Sequence, residues 1–164
     1  MVGDPGSKSV PFPYDEISSC RHLFLTEICE PSANCLRLVI REGKASKIPV
    51  PIVMAGTNLG EGYPVKIDDS CATFQLDWSN YVLYQVLNES YGMPADPSEI
   101  YQGKLARRYT ASKLLQFTLD TTIARDDYPG KLLHYEVICE THVINVICVV
   151  PPLCLKWGSS PTLP

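Results

Sequence analysis

Apolar residues are densest over 134–150, HYEVICETHVINVICVV, where Val and Ile recur almost without a break. Runs of β-branched residues bounded by polar turns read as strands. This run divides into a strand over 134–140, a tight turn near Thr141, and a strand over 142–150. In the second strand Ile144, Val146, Cys148 and Val150 alternate with Val143, Asn145, Ile147 and Val149. Both alternating sets are apolar but for Asn145, which is the pattern of a strand covered on both faces. We expect this hairpin at the centre of the fold.

Period-two alternation marks further strands before it. Residues 20–29 and 35–42 form a hairpin through Glu30-Pro31-Ser32-Ala33-Asn34, with Leu36, Leu38 and Ile40 facing inward. Strands follow over 65–68, 71–78 and 81–88, and in the second of these Phe74, Leu76 and Trp78 alternate with Thr73, Gln75 and Asp77. Pro49 and Pro51 limit 48–54 to an edge strand, because proline donates no ladder bond. The glycines of MAGTNLGEG predict a long surface loop after it. A loop over 91–103 leads to a short basic strand over 104–109. There the period becomes helical, with Ala111, Leu114, Leu115, Leu119 and Ile123 on one face and Thr110 or Ser112 as the N-cap. Thr118, Thr121 and Thr122 weaken this helix, so packing on the sheet must hold it. The expected fold class is α+β: a mainly antiparallel, strongly curled or barrel-like sheet with one packed helix over about 111–125.

Composition adds bounds rather than a function. A chain of 164 residues suits one domain over 1–164, with loose or irregular termini at 1–19 and 155–164. Hydrophobic residues make up 45% and charged residues 20%, far from the disordered class. The net charge of −4 and pI near 5.3 give no general basic surface, so nucleic acid is not expected as a partner. The compact basic cluster is Lys104, Arg107, Arg108 and Lys113. No run nears the roughly 18 apolar residues of a membrane helix, and MVGDPGSKSVPFPYDE lacks the features of a secretory signal. We therefore expect no membrane association and a cytoplasmic location. Seven cysteines, an odd number, read as mostly buried thiols in a reducing compartment.

Three blocks resemble a family of small uncharacterised bacterial proteins. They are WSNYVLYQVLNESY at 78–91, Tyr109-x-x-Ser112-Lys113-Leu114-Leu115, and Pro129-Gly130-x3-His134-Tyr135-x-Val137-Ile138-Cys139-x2-His142-Val143-Ile144. The resemblance covers roughly residues 70–150, and its firmest parts are the Asn88-Glu89-Ser90 tripeptide and the His134-Tyr135…His142 pair. It implies a shared fold and no activity. An acid often follows the second histidine and two apolar residues in that pattern, where this chain has Asn145.

Histidine titrates near neutrality unaided, which singles out His134 and His142. With a turn near Thr141 they stand too far apart to share a metal, leaving His134 as a candidate base near Tyr135 or Glu136. Cys139-x2-His142, even with Cys20-x-His22, lacks the two tight pairs of a tetrahedral zinc site. Cys139, His142 and Asn145 supply nucleophile, base and orienter types, but one short segment does not fold them into that geometry. The glycines match neither phosphate-loop spacing. Asn88 and Glu89 end a strand, where Glu89 is positioned to accept from Arg107 or Arg108; the ordinary reading is an Asx turn with a surface ion pair. The basic cluster with Tyr101 and Tyr109 reads as a phosphate or acidic-partner site at the helix start, or as a solvated face.

Since none of these sets has a workable catalytic geometry, the expected function is a non-enzymatic binding or protein-interaction domain, immunity-like or accessory, with a protein partner and no cofactor or metal. The competing reading is a small hydrolase or ligand-binding enzyme with its site around Asn88, Glu89, Tyr109, Ser112 and His134. Arg107 joins the candidate ligand-binding set.

Overall fold

The computed structural model describes residues 14–158. Its strands are β1 (His22–Cys29), β2 (Leu36–Ala45), β3 (Val50–Met54), β4 (Thr57–Gly62), β5 (Val65–Lys66), β6 (Thr73–Trp78), β7 (Tyr81–Asn88), β8 (Ile100–Gln102), β9 (Ala106–Ala111), β10 (Leu133–Ile138), β11 (His142–Cys148) and β12 (Leu153–Trp157). The helices are α1 (Tyr14–Ser19) and α2 (Lys113–Thr121), with a single 3₁₀ turn at Glu89–Tyr91.

The alternation along the strands builds two antiparallel sheets with a core between them. The first runs β1-β2-β6-β12, with β5 on β2, and the second runs β7-β11-β10-β9-β8. Leu36, Leu38 and Ile40 of β2 and Phe74, Leu76 and Trp78 of β6 face Tyr135 and Val137 of β10 and Ile144, Val146 and Cys148 of β11 across this core. Ile17 and Cys20, in α1 and just after it, join the same cluster.

Neither sheet is closed or strongly curled, which corrects the expectation of a barrel-like sheet. The inward alternation is the same for a barrel wall and for a sandwich face; what differs is Ser79-Asn80, which carries the chain from β6 in one sheet to β7 in the other. The 134–150 hairpin lies at the centre of the second sheet, and β11 is covered on both faces as its pattern required. Its other face packs Ile147 with Leu114, Leu115 and Leu119 of α2 and with Ala124 and Leu132.

The helix is shorter than 111–125 for local reasons. Ala111 still pairs with Ile100 in the sheet, Ser112 caps the first turn and Thr122 the last. The hydroxyls of Thr118, Thr121 and Thr122 each donate to the carbonyl four residues back, a competition that weakens helices. Ile123, expected on the buried face, is therefore outside the helix and 82% exposed, while Ala124 takes the buried place.

The other differences have equally specific causes. The glycine-rich stretch is no loop: Ala55 and Gly56, with φ of 48° and 79°, make a primed turn that pairs β3 with β4. Residues 14–19 are helical, and the 155–164 segment opens as β12, paired along β6; residues 1–13 and 159–164 lie outside those described. The 91–103 loop contains β8. All seven cysteines are free thiols, with Cys20, Cys71, Cys139 and Cys148 buried. No helix among the described residues is long and apolar enough to cross a membrane.

Candidate functional site

The outer face of the second sheet, the one α2 covers only in part, carries an unbroken row of polar side chains. The strand registers set Gln85 of β7 beside Asn145 of β11, Asn145 beside Glu136 of β10, and Glu136 beside Arg107 of β9. Neighbouring strands lie about 4.8 Å apart, so the row is roughly 14 Å long. One row toward α2 stand Leu83, Ile147, His134, Tyr109 and Tyr101, again in register. One row the other way stand Leu87, Val143 and Ile138.

His134, 3% exposed, ties the rows together. Its Nε2 is 2.8 Å from Asn145 Oδ1, its Nδ1 is 2.8 Å from Ser112 Oγ, and its ring stacks on Tyr109 at 4.3 Å and 15°. The Ser112 oxygen also accepts from the Leu115 N–H at 3.0 Å as the α2 cap. Asn145 Oδ1 can only accept, so Nε2–H donates to it, and the other nitrogen of the neutral ring, Nδ1, accepts from the Ser112 hydroxyl. Burial pushes the His134 pKa down, against the smaller upward effect of Asn145, so the ring is held neutral.

The second half of the network is charged. Tyr109 donates to Glu136 Oε2 at 2.8 Å, and Arg107 donates to the same oxygen at 3.0 Å while its guanidinium lies 4.4 Å over the Tyr101 ring. Burial raises the Tyr109 pKa, and the Glu136 carboxylate adds to the rise. Burial works against the Arg107 charge, but Tyr109 and Glu136 outweigh it and raise its pKa on balance.

Two hollows meet along the polar row. One, of about 360 Å³, lies on the α2 side and is lined by Glu99, Lys113, Leu114 and Phe117; the other, of about 340 Å³, lies on the far side and is lined by Leu87, Glu89, Met93, Pro94, Ile138 and Val143. Both reach Glu136 and Asn145. Asn145 Nδ2 and Glu136 Oε1 make no hydrogen bond among the described residues, yet neither is sealed from solvent. These two atoms are the unspent donor and acceptor on the groove floor.

Of the sequence candidates, Arg107, Tyr109, Ser112 and His134 come together. Asn88 does not: it caps the 3₁₀ turn, accepting from Ser90 N–H at 3.0 Å, and pairs with His142 at the far end of β11. Glu89 lines the second hollow, but its backbone N–H donates to Thr141, six positions from the Ile147 that faces His134. That is roughly 20 Å along the strand, so Glu89 shares no proton with His134. Arg107 pairs with Glu136 instead of Glu89 because β9 and β10 put the two directly opposite. Among the described residues no group of three or more His, Cys, Asp or Glu side chains could hold a metal ion. Gln85, Asn145 and Glu136 were not singled out as one site; the available signal was Asn145 as the lone polar residue in an apolar run.

A scan against protein-family models found no match, and neither did searches of curated proteins and of solved structures. They lend no support to the resemblance expected from the three sequence blocks within residues 70–150. In those blocks the Asn88-Glu89-Ser90 tripeptide forms a capped turn, while His134 and Tyr135 point to opposite faces of β10.

Proposed function

We propose that the chain is a non-catalytic binding domain that holds its partner in the groove over the Gln85–Asn145–Glu136–Arg107 row. One observation carries this reading: His134 and Ser112 are consumed in capping α2 and orienting Asn145, whereas Asn145 Nδ2 and Glu136 Oε1 are left open on the floor. Both atoms are open to solvent, so a partner's acceptor and donor can take the place of water on them in a groove that encloses both. A screen of small neutral amides, followed through backbone and side-chain amide NMR signals, tests it. Hits should shift Asn145 and Gln85; hits confined elsewhere, or none, would end the reading.

The 2.8 Å contact of Ser112 with His134 supports a second reading, a serine hydrolase with Asn145 orienting the base. Against it, the Ser112 oxygen already accepts from a backbone N–H, and Ser112 borders a different hollow, beside Leu132 and Lys131, from the one His134 borders. A fluorophosphonate probe should leave Ser112 unlabelled. Stoichiometric labelling there would favour the hydrolase.

A further inference from the structure

We propose that the groove takes an extended, positively charged peptide segment, with its backbone lying along the Gln85–Asn145–Glu136 row and its side chains entering the two hollows alternately. The inference rests on the groove reading above and names the class of partner.

The first support is the chemistry of the floor. Asn145 is 7% exposed, and its amide oxygen is committed to His134. Because the two ends of a primary amide diverge, Nδ2 faces away from His134, toward the seam that both hollows share. One row position further, about 5 Å away by cross-strand spacing, Glu136 offers an acceptor. A donor beside an acceptor at that spacing is complemented by a C=O and an N–H presented side by side, which is what a peptide backbone repeats. Gln85, exposed at the end of the row, extends the same pattern.

The second support is shape. Side chains of an extended chain point alternately to opposite sides. A backbone over the polar row would deliver them in turn to the 360 Å³ and 340 Å³ hollows, which flank that row on opposite sides and are nearly equal in size. The Gln85–Asn145–Glu136 row spans two strand spacings, roughly 10 Å, and matches about three extended residues.

The third support is charge. Around the groove stand four carboxylates, Glu89, Asp96, Glu99 and Glu136, against two cations, Arg107 and Lys113. Both cations are already paired, Arg107 with Glu136 and Lys113 with Asp96. Such a surface repels phosphates and acidic chains and attracts Lys or Arg side chains. Glu89, exposed at the second hollow, is the group a peptide cation would meet.

Capped hexapeptide pools carrying a fluorophore, one with a fixed central Lys and one with a fixed central Glu, provide the test by fluorescence anisotropy. The Lys pool should bind the wild-type chain at least about tenfold more tightly than the Glu pool, and Asn145→Leu should weaken it about tenfold, the scale of one or two lost hydrogen bonds. Asn145→Leu also breaks the His134 bond, so the exposed Glu89→Lys serves as a second variant that leaves the network intact; it should weaken the Lys pool about threefold. Equal binding of both pools, equal binding to wild type and both variants, or no binding of either pool would overturn the proposal. If small amides shift Asn145 while neither pool binds, the groove reading stands and the peptide inference alone fails. If neither amides nor peptides bind, both fail.

Discussion

Replacing His134 by Leu isolates the structural role assigned to the buried ring. The substitution removes the bond to Asn145, a residue 7% exposed whose oxygen would then lack a partner; an unsatisfied buried group costs roughly 1–3 kcal/mol. It removes the bond to Ser112 as well, worth about 0.5–1 kcal/mol because Ser112 keeps its cap bond to Leu115. The stack on Tyr109 adds roughly 0.5–1.5 kcal/mol, offset in part by the apolar burial of Leu. Together these predict a loss of about 3 kcal/mol at pH 7, a fall in Tm of roughly 6–12 °C for a chain of this size. Urea denaturation measures it.

Two further arms sharpen that test. In His134→Leu/Asn145→Leu no orphaned amide remains, so the double variant should recover about 1–2 kcal/mol relative to the single one. The pH dependence has a definite sign. Folding lowers the His134 pKa below its ordinary 6.5, so the unfolded chain binds the proton first as pH falls. Wild-type stability is then full above about pH 6.5 and declines below it, by at most about 1.4 kcal/mol per pH unit, until the depressed folded value is reached. His134→Leu lacks this term, so its deficit should shrink on acidification from pH 7 to pH 5. A single variant within about 1 kcal/mol of wild type, or a double variant no more stable than the single, would refute the assigned network.

Other outcomes follow from the same geometry. Arg107→Ala leaves Glu136, 12% exposed at its side chain, with Tyr109 alone and should cost about 2 kcal/mol in urea denaturation. Ile123→Asp should stay within about 0.5 kcal/mol of wild type, whereas Ala124→Asp, one residue on and 3% exposed, should cost about 3 kcal/mol or more. Burial pushes the Cys139 and Cys148 thiols up to about 12, so at pH 8 mass spectrometry should find both unmodified by iodoacetamide until urea is added. The half-exposed Cys35 should react in the folded chain.

Much of the fold was legible because period-two alternation survives wherever one face is wet. β2 and β6 read within a few residues of their observed bounds for that reason, and β7 through its aromatic and β-branched residues. The helix start was legible from Ser112, a capping side chain, but its end was not: Thr118 is fully buried and Thr122 caps, and neither fits a pattern counted in Leu and Ile. The closure of the sheets was illegible, since strand alternation says which side is inner without saying whether the opposite wall is the same sheet. At the site, His134, Ser112, Tyr109 and Arg107 were recognisable by residue type. Their company was not, because Gln85, Asn145 and Glu136 come from three strands and meet them only through register. Glu89 reaches the groove through the second hollow, but its separation from His134 by a strand's length is set by register, which residue type does not show.

In the proposed division of roles the groove floor binds while the His134–Ser112 pair holds the scaffold. The Asn145 side-chain amide signals, followed in a ¹⁵N-labelled chain during titration with the Lys-fixed peptide pool, test it most directly. One Nδ2 proton should move downfield and saturate, while the His134 ring nitrogens keep their free-state shifts. Movement of the His134 nitrogens with the Asn145 amide unchanged would contradict it.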